Sequence, residues 1–122
     1  MTSVALLLVL AGSAKAAECD TTKAGAPATL VVQVVDELWL PLPGAVVSAR
    51  LRSDDTGCVK AFTDVEGNAR LAVSKKGAYT IESSMVGFKT KRMKGVEVDT
   101  DVSKSIPHVQ VKLKVASSDV II

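Results

Sequence analysis

The chain is poor in aromatic residues, in histidine and in net charge, and each shortage excludes a class of structure or function. Aromatic side chains make up only 3% of the 122 residues, so Val, Ala and Leu must fill the core. Valine in short runs favours strands. Neither cysteine has the single histidine beside it in sequence, which argues against thiol catalysis and a Cys/His zinc site. A net charge of +2 is too small to indicate a nucleic-acid partner.

The first sixteen residues have the pattern of a secretory signal peptide. An apolar run, VALLLVL, is followed by small residues, and Ala14-Lys15-Ala16 matches the A-x-A cleavage pattern. The run is too short to span a bilayer as a helix, and no later stretch predicts a membrane span. We expect cleavage after Ala16, a secreted or periplasmic product, and an N-terminal extension over residues 17–27. The alternative for residues 1–16 is an N-terminal core strand.

The two cysteines, Cys19 and Cys58, both lie in the part that would be exported. An even number of cysteines in an oxidising compartment indicates a disulfide, which would tie the new N-terminus to the middle of the chain. The alternative is two unpaired thiols, with Cys58 buried as a small hydrophobic residue.

Alternation of apolar and polar residues dominates the rest of the chain, and helical periodicity is essentially absent. Short runs separated by Gly, Pro and Asp turns at roughly ten-residue spacing are typical of a β-sandwich. In the last run, the pattern turns Val109, Val111, Leu113 and Val115 inward. We therefore predict an all-β, seven-stranded Greek-key β-sandwich over residues 28–115 and a C-terminal tail over 116–122. The predicted strands are 28–36, 45–52, 58–63, 68–74, 78–84, 88–98 and 108–115.

The segment FTDVEGNARLAV (62–73) has two interpretations. Asp64, Glu66 and Asn68 alternate in a way that could hold a cation, but the twelfth residue counted from Asp64 is Lys75, where an EF-hand loop has Glu. Asp64 can instead accept hydrogen bonds from the turn that follows, with Gly67 at positive φ. We favour a hairpin, and predict no metal and no cofactor.

Several short motifs occur in an order that resembles the carboxypeptidase regulatory-like domain, in the prealbumin-like (transthyretin-like) and Ig-like group of sandwiches. The resemblance covers residues 29–115 and implies structural turns at Gly44, Asp64, Gly67 and Gly87. It implies no catalytic residues, because the family's motif residues are structural. The matching elements are Val35-Asp36, Leu42-Pro43-Gly44-Ala45 with Val47, Thr63-Asp64 with Gly67, Gly77 with Tyr79, and Gly87-Phe88.

Two enzymatic relatives in the wider group fail residue by residue. Hydroxyisourate hydrolases use several His and Arg residues and a Tyr-Arg-Gly-Ser ending, whereas this chain ends SSDVII. Intradiol dioxygenases bind iron with two Tyr and two His, and only Tyr79 and His108 are present. We therefore predict that the protein is not an enzyme. The rival hypothesis is a small transthyretin-like hydrolase that uses His108, which the pattern places on an exposed strand face.

Two segments are candidate contact surfaces. Leu38, Trp39 and Leu40 are more apolar than a strand connection needs, so they either form a contact patch or cap the end of the sandwich. The segment KTKRMK is basic and either protects an edge strand or meets an anionic envelope polymer. Alternation puts its first two cations on one face and the other two on the opposite face. These cations are Lys89, Lys91, Arg92 and Lys94.

These observations predict an exported, non-catalytic module with a binding or structural role at the cell envelope or outside the cell. A glycan is one expected partner class, by analogy with carbohydrate-binding-like sandwiches, and a protein is the other. A third hypothesis is an assembly protein whose edge strands pair into a homo-oligomer.

Overall fold

The protein is a β-sandwich of two sheets, seen in a computed structural model that describes residues 19–22, 27–52, 57–100 and 106–116. The strands come from the alternating runs of the sequence, whose apolar positions turn to a shared core. In chain order they are β1 (Asp20–Thr21), β2 (Leu30–Val35), β3 (Val46–Leu51), β4 (Cys58–Phe62), β5 (Asn68–Leu71), β6 (Gly77–Ser84), β7 (Lys91–Val98) and β8 (His108–Lys112).

The larger sheet has the order β1-β4-β3-β6-β7, and the smaller one has the order β5-β2-β8. β3 pairs antiparallel with β4 and β6, and β6 pairs antiparallel with β7. β2 pairs antiparallel with β5 but parallel with β8. β7 therefore lies at the edge of the larger sheet, a position that matters for its basic residues.

Small aliphatic side chains fill the space between the sheets, as the scarcity of aromatic residues predicts. Val47, Ala49 and Leu51 alternate with partly exposed neighbours along β3, so one face of the strand is buried. Among the residues that the structure describes, Tyr79 is the only aromatic one in the fully packed part of the core. The described core residues are Leu30, Val32, Val34, Ala45, Val47, Ala49, Leu51, Ala61, Ala69, Leu71, Val73, Tyr79, Ile81, Val98, Val111 and Leu113.

The predicted all-β sandwich is confirmed, and the seven predicted strands correspond to β2 through β8. The strand count is one too low, because β1 has only two residues and shows no alternation. β1 lies within residues 17–27, which we expected to be an N-terminal extension without strands. It pairs in parallel with β4. Cys19, next to β1, forms a disulfide with Cys58 at the start of β4.

The last strand is shorter than predicted, and this changes the placement of one valine. β8 ends at Lys112, and Val115 makes only an isolated bridge to Phe88. Val115 is therefore exposed, and the prediction that it points into the core is wrong. The predicted signal peptide (1–16) and most of the predicted tail (117–122) lie outside the described residues. Within the described ranges, no helix is long and apolar enough to cross a membrane.

Candidate functional site

The turn that follows β2 is held by the side chain and backbone of Asp36. Its Oδ1 accepts hydrogen bonds from the backbone N–H of Leu38 at 2.8 Å and of Leu40 at 2.9 Å. Its own N–H donates to Leu40 O, and its carbonyl accepts from Trp39 N–H at 3.0 Å. One aspartate thus fixes three successive residues, and the apolar side chains sit on an ordered turn.

Trp39 has a backbone conformation that a bulky residue rarely adopts. Its φ is +66°, and it is the only non-glycine residue at positive φ among those described. An L-residue in the left-handed region costs about 1–2 kcal/mol relative to its preferred conformations. Strain of this kind concentrates at functional sites, because a residue that fitted the backbone better would otherwise replace it.

The side chains of this turn point to solvent instead of capping the core. The exposed fraction is 75% for Leu38, 57% for Trp39 and 56% for Leu40. Only Leu42, further along, packs against the core. Lys112, at the end of β8, places its Nζ 4.3 Å from the centroid of the Trp39 ring, within cation–π distance. The alternative that residues 38–40 cap the sandwich is therefore wrong.

Exposed apolar residues gather at the same end of the sandwich as this turn. We call the loops 36–45, 63–67 and 85–90 together with residues 113–116 the apolar end. Backbone hydrogen bonds join these segments, as from Gly44 N–H to Thr63 O and from Ala116 N–H to Gly87 O. Eight large hydrophobic residues are exposed in the described ranges, and all except Ile106 lie in this end or at its border. The seven residues at the apolar end are Leu38, Trp39, Leu40, Phe62, Val65, Val86 and Val115.

The turn 63–67 packs against the Trp39 turn and has a structural role. Asp64 Oδ1 accepts hydrogen bonds from Glu66 N–H at 2.9 Å and Asn68 N–H at 3.0 Å. Gly67 has φ +80°, and a Cβ atom there would lie 2.7 Å from Val34 O and 3.0 Å from Pro41 Cβ. The same carboxylate that would lead a cation site is thus engaged by the hairpin. No group of three or more His, Cys, Asp or Glu residues suited to a metal ion occurs in the described ranges.

The two other predicted turn glycines also have positive φ, at +83° for Gly44 and +90° for Gly87. Open space surrounds the position that a Cβ would take at each of them. They serve the backbone conformation alone, whereas Gly67 serves both conformation and packing.

The four predicted basic contact residues are split between two faces. Arg92 and Lys94 line a groove on the outer face of the larger sheet, and Arg92 Nη2 lies 3.3 Å from Glu82 Oε2. Lys91 is the cross-strand partner of Ser83, which is fully buried. The side chain of Lys91 therefore leaves the strand on the inner face of the sheet, but it is exposed because β7 is the edge strand. Lys89 lies before β7, and its N–H donates to Lys114 O.

A bulge follows the second basic pair and keeps Val96, the partner of buried Tyr79, on the inner face of β7. The register of β6 and β7 shifts between Tyr79 and Ile81, so that Lys94 and Gly95 together face Thr80. Gly95 takes φ +74°, as the extra residue of a bulge often does.

His108 and Tyr79 lie in different sheets. His108 is exposed, and Val31 pairs with both His108 and Arg70, which puts these three residues in one cross-strand row of the smaller sheet. Tyr79 is buried in the larger sheet, and its hydroxyl donates to Lys75 O. Burial raises the pKa of the Tyr79 hydroxyl. The one Tyr and the one His that could contribute to an iron site of the dioxygenase type are therefore not brought together.

A small cavity lies beside Tyr79 and the disulfide, towards the opposite end of the sandwich. Its volume is about 160 Å³, and its lining includes Asp20, Cys58 and Tyr79. Typical ligand pockets are larger, at about 300–1,000 Å³. The apolar end is the stronger candidate site for a macromolecular partner.

Three solved structures share the fold at low sequence identity. They are the catechol 1,2-dioxygenases of Acinetobacter radioresistens (TM-score 0.55, 11% identity) and Pseudomonas arvilla C-1 (0.53, 14%), and the 3-chlorocatechol 1,2-dioxygenase of Rhodococcus opacus 1CP (0.53, 11%). The matches cover 84%, 93% and 80% of this chain, and 60%, 69% and 63% of those chains, respectively. This chain thus spans less than two thirds of two of them, and the likeness shows the fold alone.

No curated protein matches the chain in sequence. The family model of the carboxypeptidase regulatory-like domain matches residues 29–117, which includes β2 through β8 and the turns with Gly44, Gly67 and Gly87. The chain belongs to the carboxypeptidase regulatory-like domain family.

Proposed function

We propose that the chain is a non-catalytic binding module that contacts a protein partner through its apolar end. The observation that carries this proposal is Trp39, an exposed indole on a strained turn that Asp36 holds in place. Trp residues dominate the binding energy of many protein interfaces, because a large rigid ring loses little entropy on burial. The exposed aliphatic residues on the neighbouring loops widen the contact beyond what a single sugar ring covers.

The disulfide between Cys19 and Cys58 supports a site of action outside the cytoplasm, since disulfides persist in oxidising compartments. We extend the proposal to export after cleavage of residues 1–16. The separation of His108 from Tyr79, and the structural roles of Asp64 and Gly67, favour binding over catalysis.

A glycan is the second candidate partner, because the exposed face of the Trp39 ring suits stacking on a sugar. A second copy of the chain is the third. The edge strand β7 opposes strand pairing, since Lys91, Arg92 and Lys94 and the bulge at Gly95 lie along it.

The test compares three forms of the purified protein as bait for the extracytoplasmic proteins of the producing cell and for a panel of its envelope glycans. They are the wild type, the Trp39→Asn variant, and the Ile106→Asn variant as a matched control at the opposite end. A saturable protein partner that the wild type and Ile106→Asn both bind, and that Trp39→Asn loses, supports the proposal. Loss confined to a glycan would assign the end to carbohydrate, and equal binding by all three forms would contradict any role of the apolar end.

A further inference from the structure

The outer face of the larger sheet carries four cations that come from three different strands, β3, β4 and β7. Strand register aligns Thr21, Lys60, Ser48, Glu82 and Arg92 in one row across the sheet. The adjacent row contains Cys58, Arg50 and Thr80, with Lys94 facing Thr80 in the bulge. Neighbouring strands are about 4.8 Å apart, so each row forms an evenly spaced set of side chains.

These side chains form a shallow groove of about 360 Å³ between β3 and β7. Its lining consists of Ser48, Arg50, Thr80, Glu82, Arg92 and Lys94, and Lys60 continues it across β4. Both side chains of the Arg92–Glu82 ion pair are exposed to solvent, so the pair is weak. An incoming anion can therefore compete with Glu82 for Arg92. Glu97, paired with Ala78, adds a second carboxylate further along the same face. Among the described residues of the groove and its continuation, four cations stand against these two carboxylates, so their summed charge is positive.

Two features favour a polysaccharide over an acidic peptide. No apolar or aromatic residue is among the described residues that line the groove, and the hydroxyls of Ser48 and Thr80 lie between its cations, where they can bond sugar hydroxyls. The strand edge beside it is protected by Lys91 and the Gly95 bulge, so a peptide could not add main-chain hydrogen bonds. The spacing between strands is also close to the length of one pyranose ring along a glycan chain.

We propose that this groove binds a polysaccharide that carries uronate groups and runs across the strands from β4 to β7. Its carboxylates bind Arg50 and Lys60 on one side and Arg92 and Lys94 on the other. The Arg92–Glu82 contact already shows an arginine of the groove bound to a carboxylate. The site is separate from the apolar end and does not depend on the function proposed for Trp39.

The experiment measures binding of the purified protein to immobilised polygalacturonate at low ionic strength, with neutral dextran as a blank. The double variant Arg92→Gln/Lys94→Gln removes two groove cations and should weaken binding about tenfold, because two solvent-exposed ion pairs, each weak on its own, are lost together. The matched control Lys89→Gln/Lys91→Gln removes the same charge from the same segment but away from the groove, and should change binding less than about twofold.

Removal of the competing carboxylate provides a test in the opposite direction. Glu82→Gln frees Arg92 for the ligand and should tighten binding to polygalacturonate a few-fold. Equal losses from both double variants would overturn the proposal, since binding would then depend on overall charge. Absence of binding to polygalacturonate would overturn it too, as would tighter binding to dextran sulfate or to poly-glutamate. None of these results depends on whether Trp39 binds a protein.

Discussion

Lys112 Nζ lies 4.3 Å from the centroid of the Trp39 ring, so a cation at the end of β8 contacts the indole in the turn that follows β2. The contact contributes about 0.5–1 kcal/mol at an exposed site. It does not bury the ring, which keeps more than half of its surface in solvent. The indole is held in place and remains available to a partner.

Replacement of Trp39 should leave the stability of the protein unchanged or slightly raise it. Asn tolerates positive φ, so Trp39→Asn relieves about 1–2 kcal/mol of backbone strain and loses about 0.5–1 kcal/mol of the contact with Lys112. Urea unfolding followed by circular dichroism measures the difference. A loss of more than about 1 kcal/mol would mean that the indole is mainly structural.

Two buried hydroxyls should respond to removal in opposite directions. Thr63 Oγ1 accepts a hydrogen bond from Ala45 N–H at 2.8 Å and donates to Leu42 O, so Thr63→Val leaves buried backbone groups unpaired. We expect a loss of about 1–3 kcal/mol. Ser83 Oγ is buried and makes no hydrogen bond within the described structure, so Ser83→Ala should gain about 1 kcal/mol.

Chemical denaturation of the two variants against the wild type checks this pair. Stabilisation by Thr63→Val, or destabilisation by Ser83→Ala beyond about 1 kcal/mol, would contradict the hydrogen bonds assigned to these two buried hydroxyls.

Alanine should be tolerated less well at Gly67 than at Gly87. Both positions have positive φ, which costs an alanine about 1–2 kcal/mol. At Gly67 the new Cβ would also meet Val34 O at 2.7 Å, whereas the space at Gly87 is open. Gly67→Ala should therefore lower the melting temperature well below that of Gly87→Ala. Equal melting temperatures would show that the turn relaxes without cost.

The single tyrosine gives a direct spectroscopic measure of core burial. Burial raises the pKa of Tyr79 above its ordinary value of 10.0. The ultraviolet absorbance of tyrosinate should therefore have its midpoint above that value in the folded protein. Because the folded state keeps the proton at a pH where the unfolded chain has lost it, this group's contribution to stability is constant below pH 10 and falls above it.

Tyr79→Phe should lack this alkaline loss while it forfeits the hydrogen bond to Lys75 O. A tyrosinate midpoint at or below the ordinary value, with the fold intact, would contradict the burial of the ring.

Most of the strands could be predicted from the sequence, because the alternation of apolar and polar residues that marks a strand lies within one short run of the chain. The alternation of apolar and polar residues in the predicted strands 45–52 and 78–84 recurs as alternating burial along β3 and β6. β1 was not predicted, because two residues are too few to show apolar/polar alternation. The neighbouring disulfide and the pairing with β4 hold it in the sheet.

The candidate sites are less accessible to such reasoning. The residue pattern shows neither the positive φ of Trp39, on the turn that Asp36 holds, nor the exposure of its ring. Alternation along the chain already divides Lys89 and Lys91 from Arg92 and Lys94, but it cannot predict which residues of other strands lie beside them. The structure joins Arg92 and Lys94 with Arg50 and Lys60, which only the cross-strand register brings close.

The most direct test of the central claim is the fluorescence emission of Trp39, the only tryptophan in the chain. The account predicts a red-shifted maximum for the free protein, since the indole is exposed, and a saturable blue shift when the extracytoplasmic protein partner is added. Leu38→Ala should weaken that shift, and Ile106→Asn should leave it unchanged. A maximum that is already blue in the free protein, or one that stays red at saturating partner, would contradict the assignment of the apolar end as the binding surface.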